Sequence, residues 1–448
     1  MRRGRDTAGT MGAAGTRGAT LAAEIEEALR LLIRGGLPVR LECWDGSAAG
    51  PVGAPVLRLR SPAALRRQLW APGELGAAQA YVAGEIDIPG DLLEGMTHLW
   101  KVIRERELAG SRPGPRALAR LAGLAARNGA LGPRPPRPES QAVVRGRLHS
   151  PLRDRAVISH HYDLPTDFYA LILDESMAYS CGWFPSGPPS RGANVGGDAD
   201  SDPGAVLAAA QAAKFALVAR ELGLQPGMRL LDIGCGWGSM AIAAAATHGV
   251  QVTGVTISEE QQRFARGRAK REGVADLVDI RVQDYRELAE ERASFDAVVS
   301  LEMGEHVGDT RYPLYARTLH DCVRPGGRVL VQQMSRAGRH PGGGPFIESF
   351  IAPDMSMRPA GRTLDLLTGS GLELVSVRSL REHYAWTAEQ WRRRFLASRV
   401  EVVARWGEKM ARVWDLYLAG GTRSFAEGRM GVEQFVLRRP GEVSPGCP

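Results

Sequence analysis

The run AVVSLEMGEHVG, Ala297 to Gly308, leads an apolar stretch directly into Glu302, Glu305 and His306. Carboxylates at the end of a hydrophobic strand are costly to bury unless they are paired or put to use. These three residues are therefore the first candidates for chemistry: proton transfer, anchoring of a small ligand, or metal ligation. Glu-x-x-Glu-His resembles zinc motifs on helices. Here the block follows a strand and lacks a further His/Cys cluster, so no metal site is expected. The plain alternative is a structural loop whose acids form salt bridges.

A second cluster is LLDIGCGWGSM, which sets Gly234, Gly236 and Gly238 between an apolar run and a helical one. Glycines there let the backbone turn tightly and approach a ligand, with a helix N-terminus behind it. A dinucleotide fingerprint would read G-x-G-x-x-G, but the third glycine comes one residue early and Ser239 holds its place. With Asp232 ahead of it, the loop fits the (D/E)-x-G-x-G-x-G pattern of class I S-adenosylmethionine methyltransferases. The next apolar run, VQVTGVTIS, does not end in the acid that usually holds ribose hydroxyls. Thr256, Ser258 and Gln261 supply neutral hydrogen-bonding groups instead, and Asp284 with Tyr285 can flank an adenine.

The elements that must position these residues follow from hydrophobic period. From Ala205 onward, MRLLDIGCG, VQVTGVTIS, VDIRVQDY, FDAVVSLEM and GGRVLVQQMS read as buried strands. They are separated by helices such as SMAIAAAATHG, EEQQRFARGRAKREG and YPLYARTLHDCV. That alternation indicates an α/β fold with a doubly wound, mostly parallel sheet, seven-stranded in the methyltransferase form. A smaller α+β domain is expected over 21–104, with helical spacing in LAAEIEEALRLLI and strands in PVRLECWDGS and PVLRLRSPAALRRQLW. Residues 1–20 read as a disordered tail. Residues 105–145, dense in Arg, Gly and Pro, read as a basic linker around a short helix. The methyltransferase domain is set at 146–440, with a mobile loop at 185–204.

The chain has 448 residues, a formal net charge of +7 and five scattered cysteines without a Cys-x-x-Cys pair. The length suggests two domains, and the positive balance favours anionic partners. The cysteines indicate neither a zinc knuckle nor a disulfide framework. No stretch reaches the ~18 uninterrupted apolar residues of a membrane-spanning helix. A cytoplasmic protein that meets membranes from the surface is expected.

Several separated motifs resemble the cyclopropane-fatty-acyl-phospholipid synthase and mycolic-acid methyltransferase family. They are HHYDLPTDFYALILDESMAYSCGWF, LDIGCGWG, TISEEQ, EMGEHVG, HYAWTAEQWRRRF and RVWDLYLAGGTRSFAEGRMGVEQF. ELGAAQAYVAGEIDIPGDL is similar to the N-terminal domain of the full-length, phospholipid-acting branch. The resemblance implies transfer of a methyl group from S-adenosylmethionine to the double bond of an unsaturated phospholipid acyl chain. The resulting carbocation would be deprotonated by a bound bicarbonate ion, closing a cyclopropane ring. An exocyclic methylene, the precursor of a methyl-branched chain, is the alternative product. A small-molecule methyltransferase is the further alternative, because fold alone does not fix function.

By motif, the bicarbonate-holding set falls on Cys181, Glu305, Gln332, Met334 and Tyr384, with Glu302 and His306 supporting the loop. Gln332 departs from the family's histidine; its amide can donate a hydrogen bond but cannot carry charge. Tyr179 and Ser180 join Asp232, Gly234, Gly236, Gly238, Thr256, Ser258, Gln261, Asp284 and Tyr285 as the cofactor-binding set. Phe168, Tyr169, Trp183, Phe184 and His306 are expected to line the substrate, and aromatic faces would attract a cation there. The implied partner is unsaturated phospholipid at the inner face of the membrane, with no nucleic acid. A homodimer is compatible with the sequence, as is a partner reductase if the product is a methylene chain.

Overall fold

The computed structural model describes residues 20–30, 36–107, 115–142, 146, 153, 164–187, 203–338 and 342–441. The expected tail up to residue 19, most of the expected 185–204 loop, and His160 and His161 of the first resemblance motif lie outside the described residues. The chain divides into two compact units. One takes in the residues up to Trp70 and Gly84–Pro135; the other takes in Ala71–Ala83 and everything from Pro136.

The smaller unit has a four-stranded sheet made of β1 (Arg40–Glu42), β2 (Ala48–Ala49), β3 (Val56–Leu59) and β4 (Ile86–Asp87), in the order β2-β1-β3-β4. Its helices include Leu21–Leu29, Pro62–Trp70 and Leu92–Glu105. Asp91 caps the last of these by accepting from the Glu94 amide at 3.0 Å, which satisfies one of the orphan N–H groups of a helix start. The stretch read as a linker contains the helix Pro115–Arg127. Leu124 and Ala125 on it are buried, and Arg127 reaches Glu24 at 3.1 Å. Its Leu/Ala stripe gives it a packing face, so it belongs to this unit rather than to a bare connector.

The larger unit is built on a seven-stranded sheet: β5 (Arg229–Ile233), β6 (Gln251–Thr256), β7 (Val278–Val282), β8 (Phe295–Leu301), β9 (Val323–Ser335), β10 (Glu373–Ser379) and β11 (Gly431–Arg438). The order is β10-β11-β9-β8-β5-β6-β7. Strands β5 to β9 pair in parallel, and β11 runs antiparallel to both β9 and β10. This is the doubly wound, mostly parallel sheet that the alternating pattern implies. Its central strands are apolar on both faces because helices such as Ser239–His248 and Tyr312–Cys322 cover them. The connections reverse direction around β5, with β6 on one side and β8 on the other. Such a switch point leaves a crevice beyond the carboxyl ends of the strands. Both chemistry-bearing clusters, the glycine loop after β5 and the acidic block after β8, lie at that crevice.

A second core forms among the helices Thr166–Ala170, Arg381–Ala397 and the stretch Arg399–Ala426, which breaks at Gly407. Phe168, Tyr169, Trp391, Phe395 and Trp414 are buried in it. Side chains of this size contribute roughly 1.5–3 kcal/mol each on burial, so this cluster holds the helices firmly around the crevice. Among the described residues, no helix is long and apolar enough to cross a membrane.

Candidate active site

The glycine loop is shaped by close approach. Gly234 has φ +80°, and a Cβ there would lie 2.7 Å from Met303 Cγ, so the loops after β5 and β8 abut. Gly238, also at φ +80°, packs against Ala265 and starts the helix Ser239–His248. Gly236 faces open space, which leaves its backbone accessible to a ligand. Gly234 and Gly236 share one pocket with Thr256, Gln261, Asp284 and Tyr285; Glu302, Met303 and His306 complete its wall.

The pocket's polar groups are held in place by their neighbours. Thr256 donates to Gln261 Oε1 at 2.6 Å. Ser258 does not line the pocket; its hydroxyl caps the helix Glu259–Arg271 by accepting from the Gln261 amide. Asp284 accepts from Arg286 Nε and Nη2 at 2.8 and 2.6 Å, while the Tyr285 ring packs edge-on against Tyr315. Asp232 is buried, its Oδ2 has no hydrogen-bond partner, and burial pushes its carboxyl up to about 7 against the pull of Lys214. An accessible glycine backbone, an orphaned buried carboxylate oxygen, neutral hydroxyl and amide groups, and a carboxylate beside a tyrosine form a donor and acceptor set that fits S-adenosylmethionine. Asp232 and the glycines would hold its amino-acid end, Thr256 and Gln261 its ribose, and Asp284 and Tyr285 its base. Tyr179 and Ser180 sit apart from this lining. The Tyr179 hydroxyl hydrogen-bonds that of Tyr417 at 2.8 Å, and Ser180 Oγ accepts from Lys214 Nζ at 2.6 Å.

Cys181, Gln332 and Tyr384 converge on one group, and that group is Glu302, not Glu305. Glu302 Oε1 accepts from the Cys181 amide at 2.8 Å and from Gln332 Nε2 at 2.7 Å; Oε2 accepts from the Tyr384 hydroxyl at 2.6 Å. Gln332 is oriented from behind, its Oε1 accepting from Gln434 Nε2 at 2.8 Å across the β9–β11 register. Burial raises the Glu302 carboxyl above its ordinary value. The Tyr384, Cys181 and Gln332 hydrogen bonds and the Lys214 charge oppose that rise. Lys214 is fully buried, and desolvation lowers its ammonium to about 8 while the charge of Glu302 pulls the other way.

Glu305 is fully buried, and neither carboxylate oxygen has a hydrogen-bond partner. Desolvation, followed by the Glu302 charge, pushes it well above the ordinary range. Of the two, Glu302 has three hydrogen-bond donors and Lys214 opposing the rise, and Glu305 is pushed higher. The donors that the sequence reading grouped with Glu305 as the anchoring carboxylate lie instead on Glu302, which it took as loop support. The 3-10 turn Gly304–His306 turns Glu305 inward, and this inward turn isolates its carboxyl.

The remaining expected residues are spread around this hub. The Cys181 thiol is buried and held up by desolvation, so its backbone amide is the group that acts. Met334 is buried in the aromatic core together with Tyr384. Phe168 and Tyr169 are sealed within that core, against Trp414 and Trp237. Trp183 and Phe184 pack on His383 instead of lining the pocket. His306 does line it. Lys214 joins this hub without a role assigned from sequence, where its one signal is a lone cation in the apolar stretch AAAQAAKFALV.

The residues present do not fit a bound bicarbonate. The three donors expected to hold it are already engaged by a carboxylate of the chain itself. A second anion beside Glu302, in a site of low dielectric, would be repelled.

The family model described as mycolic acid cyclopropane synthetase matches residues 149–435. The tuberculostearic acid methyltransferase of Mycobacterium tuberculosis is 36% identical over 442 residues, covering 95% of this chain and 94% of its own. The cyclopropane-fatty-acyl-phospholipid synthase of Escherichia coli is 33% identical over 292 residues, 65% of this chain and 70% of its own. Among solved structures, mycolic acid cyclopropane synthase CmaA1 complexed with SAH and CTAB superposes with a TM-score of 0.55 at 28% identity. It covers 63% of this chain and 98% of that one.

Proposed function

The chain belongs to the mycolic acid cyclopropane synthetase family and is an S-adenosylmethionine-dependent methyltransferase acting on lipids; we propose that its substrate is the double bond of an unsaturated phospholipid acyl chain. Bound at the glycine loop, the cofactor supplies an electrophilic methyl group. An alkene is a weak nucleophile, so the protein's contribution is to hold the two in line and exclude water. The observation that carries this reading is a single pocket shared by the glycine loop and a hydrogen-bonded carboxylate. An alkylated olefin must give up a proton, and the carboxylate of Glu302 lines the cofactor pocket. Aromatic rings close by, with Tyr384 stacked on Phe425 at 4.1 Å and Tyr179 beside Trp391 at 5.2 Å, suit a transient cation.

Two products branch from the cation. Immediate proton loss from the new methyl group closes a cyclopropane. A hydride shift before that loss gives an exocyclic methylene, the precursor of a methyl-branched chain. The likeness to a tuberculostearic acid methyltransferase over nearly the whole chain favours this second reading as a product assignment. Catalytic hydrogenation followed by mass spectrometry separates them, because the methylene is reduced readily and the ring resists. The phospholipid would be met at a membrane surface, through the positive balance of the chain rather than a spanning helix. Incubation with labelled S-adenosylmethionine and oleoyl phospholipid vesicles tests the proposal; label recovered in acyl chains supports it, and label absent from lipid refutes it.

A further inference from the structure

Resting on that reading of the substrate, we infer that Glu302 is itself the base that deprotonates the alkylated chain, standing where a bound bicarbonate would otherwise sit. Its donors come from three separate elements: the Cys181 amide in the loop after Thr166–Ala170, Gln332 on β9, and Tyr384 on the helix Arg381–Ala397. A carboxylate offers about four lone-pair sites, and three are filled; the one left, on Oε2, is free to take a proton. Glu302 is half-buried and lines the same pocket as Gly234 and Gly236. The next residue, Met303, touches the glycine loop.

The backbone at Glu302 points the same way. Its φ is +54°, a left-handed conformation that L residues rarely adopt. Glycine would sit there without strain, yet the chain carries a glutamate. Strained positions of this kind are kept where the surroundings hold them for use. Three donors and the Lys214 ammonium favour the ionised form of Glu302, while desolvation holds Glu305 well above the usual carboxylate range.

The step balances. The olefin's π pair bonds to the methyl carbon while the methyl–sulfur pair leaves with sulfur, and the chain becomes a carbocation. Glu302 Oε2 takes one proton from the new methyl group. The freed C–H pair either closes the ring or, after a hydride shift, forms the exocyclic double bond. The neutral Glu302 carboxyl then returns its proton to water at the pocket mouth.

The test compares wild type, E302G and E302Q as full chains. Binding of [13C]bicarbonate is followed by NMR without lipid. Turnover is followed in carbon-dioxide-stripped buffer and with bicarbonate restored. Wild type should bind no bicarbonate and turn over equally in both buffers. E302G, relieved of backbone strain, should bind bicarbonate at the vacated donors, lose about 100-fold or more of the rate in stripped buffer, and regain rate when the ion is added. E302Q, of the same shape, should be equally slow and not rescued. Wild-type binding of bicarbonate at these donors, or full turnover of E302G or E302Q in stripped buffer, would overturn the inference. A wild type that alkylates no lipid would sink the substrate reading alone, since the binding titration judges the anion position by itself.

Discussion

Tyr384 donates to Glu302 Oε2 from a ring packed between Phe425 and Trp391. Tyr384→Phe therefore removes one hydrogen bond to a charge and leaves the packing in place. Bonds of this kind contribute about 1.5–3 kcal/mol, so turnover should fall roughly 10- to 150-fold, with cofactor affinity by calorimetry unchanged. Acid–base behaviour gives a second residue-scale prediction. Glu302 faces Glu305, Lys214, Cys181 and Tyr384; of these, only the Lys214 ammonium favours its ionised form by charge. Activity should fall as pH drops through the raised Glu302 value. Lys214→Met should shift that acid limb to higher pH, because the carboxylate loses its cation; a limb that stays in place would contradict the assignment. In the sequence, EMGEHVG announced a functional block, and the family resemblance put the anchoring role on Glu305 rather than Glu302. The proposal of Glu302 rests on contacts 121 residues away at Cys181 and 82 away at Tyr384, which no local pattern encodes.

At the scale of elements, the crevice depends on two loops meeting. Gly234→Ala would force a Cβ against Met303 in a left-handed conformation, a cost of about 1–3 kcal/mol. Denaturant melts should show that loss, and binding of S-adenosylhomocysteine should weaken at least tenfold; unchanged binding would mean that the cofactor lies elsewhere. Strands β5 to β9 were legible because their apolar runs alternate with helical ones; most of β8 is buried, and the edge strand β7 alternates buried and exposed residues. Strands β10 and β11 were not: β10 is an exposed edge strand, and β11 follows a long helical stretch without a strong turn signal. Gln434 on β11 orients Gln332, so the part of the site that depends on β11 was hidden with it. Ser258 was assigned to the cofactor because its type fits, but its hydroxyl serves as a helix cap, a use that sequence type alone does not distinguish.

For the whole molecule, the proposed encounter with phospholipid would draw on the net charge of +7. Binding to phosphatidylglycerol vesicles should exceed binding to phosphatidylcholine vesicles. It should collapse as the screening length shrinks from ~10 Å at 0.1 M salt to ~3 Å at 1 M; salt-insensitive co-sedimentation would contradict it. The packing of the helix Pro115–Arg127 into the smaller unit was hidden in the sequence by its Arg- and Gly-rich setting. The account as a whole turns on a methyl group that is transferred to an olefin and then gives up one hydrogen. The direct measurement uses S-adenosylmethionine carrying a trideuterated methyl group, oleoyl phospholipid vesicles and mass spectrometry of the acyl chains. The account predicts product chains holding two of the three deuteriums, with the third lost to the base. Chains that stay unlabelled, or that keep all three, would contradict it.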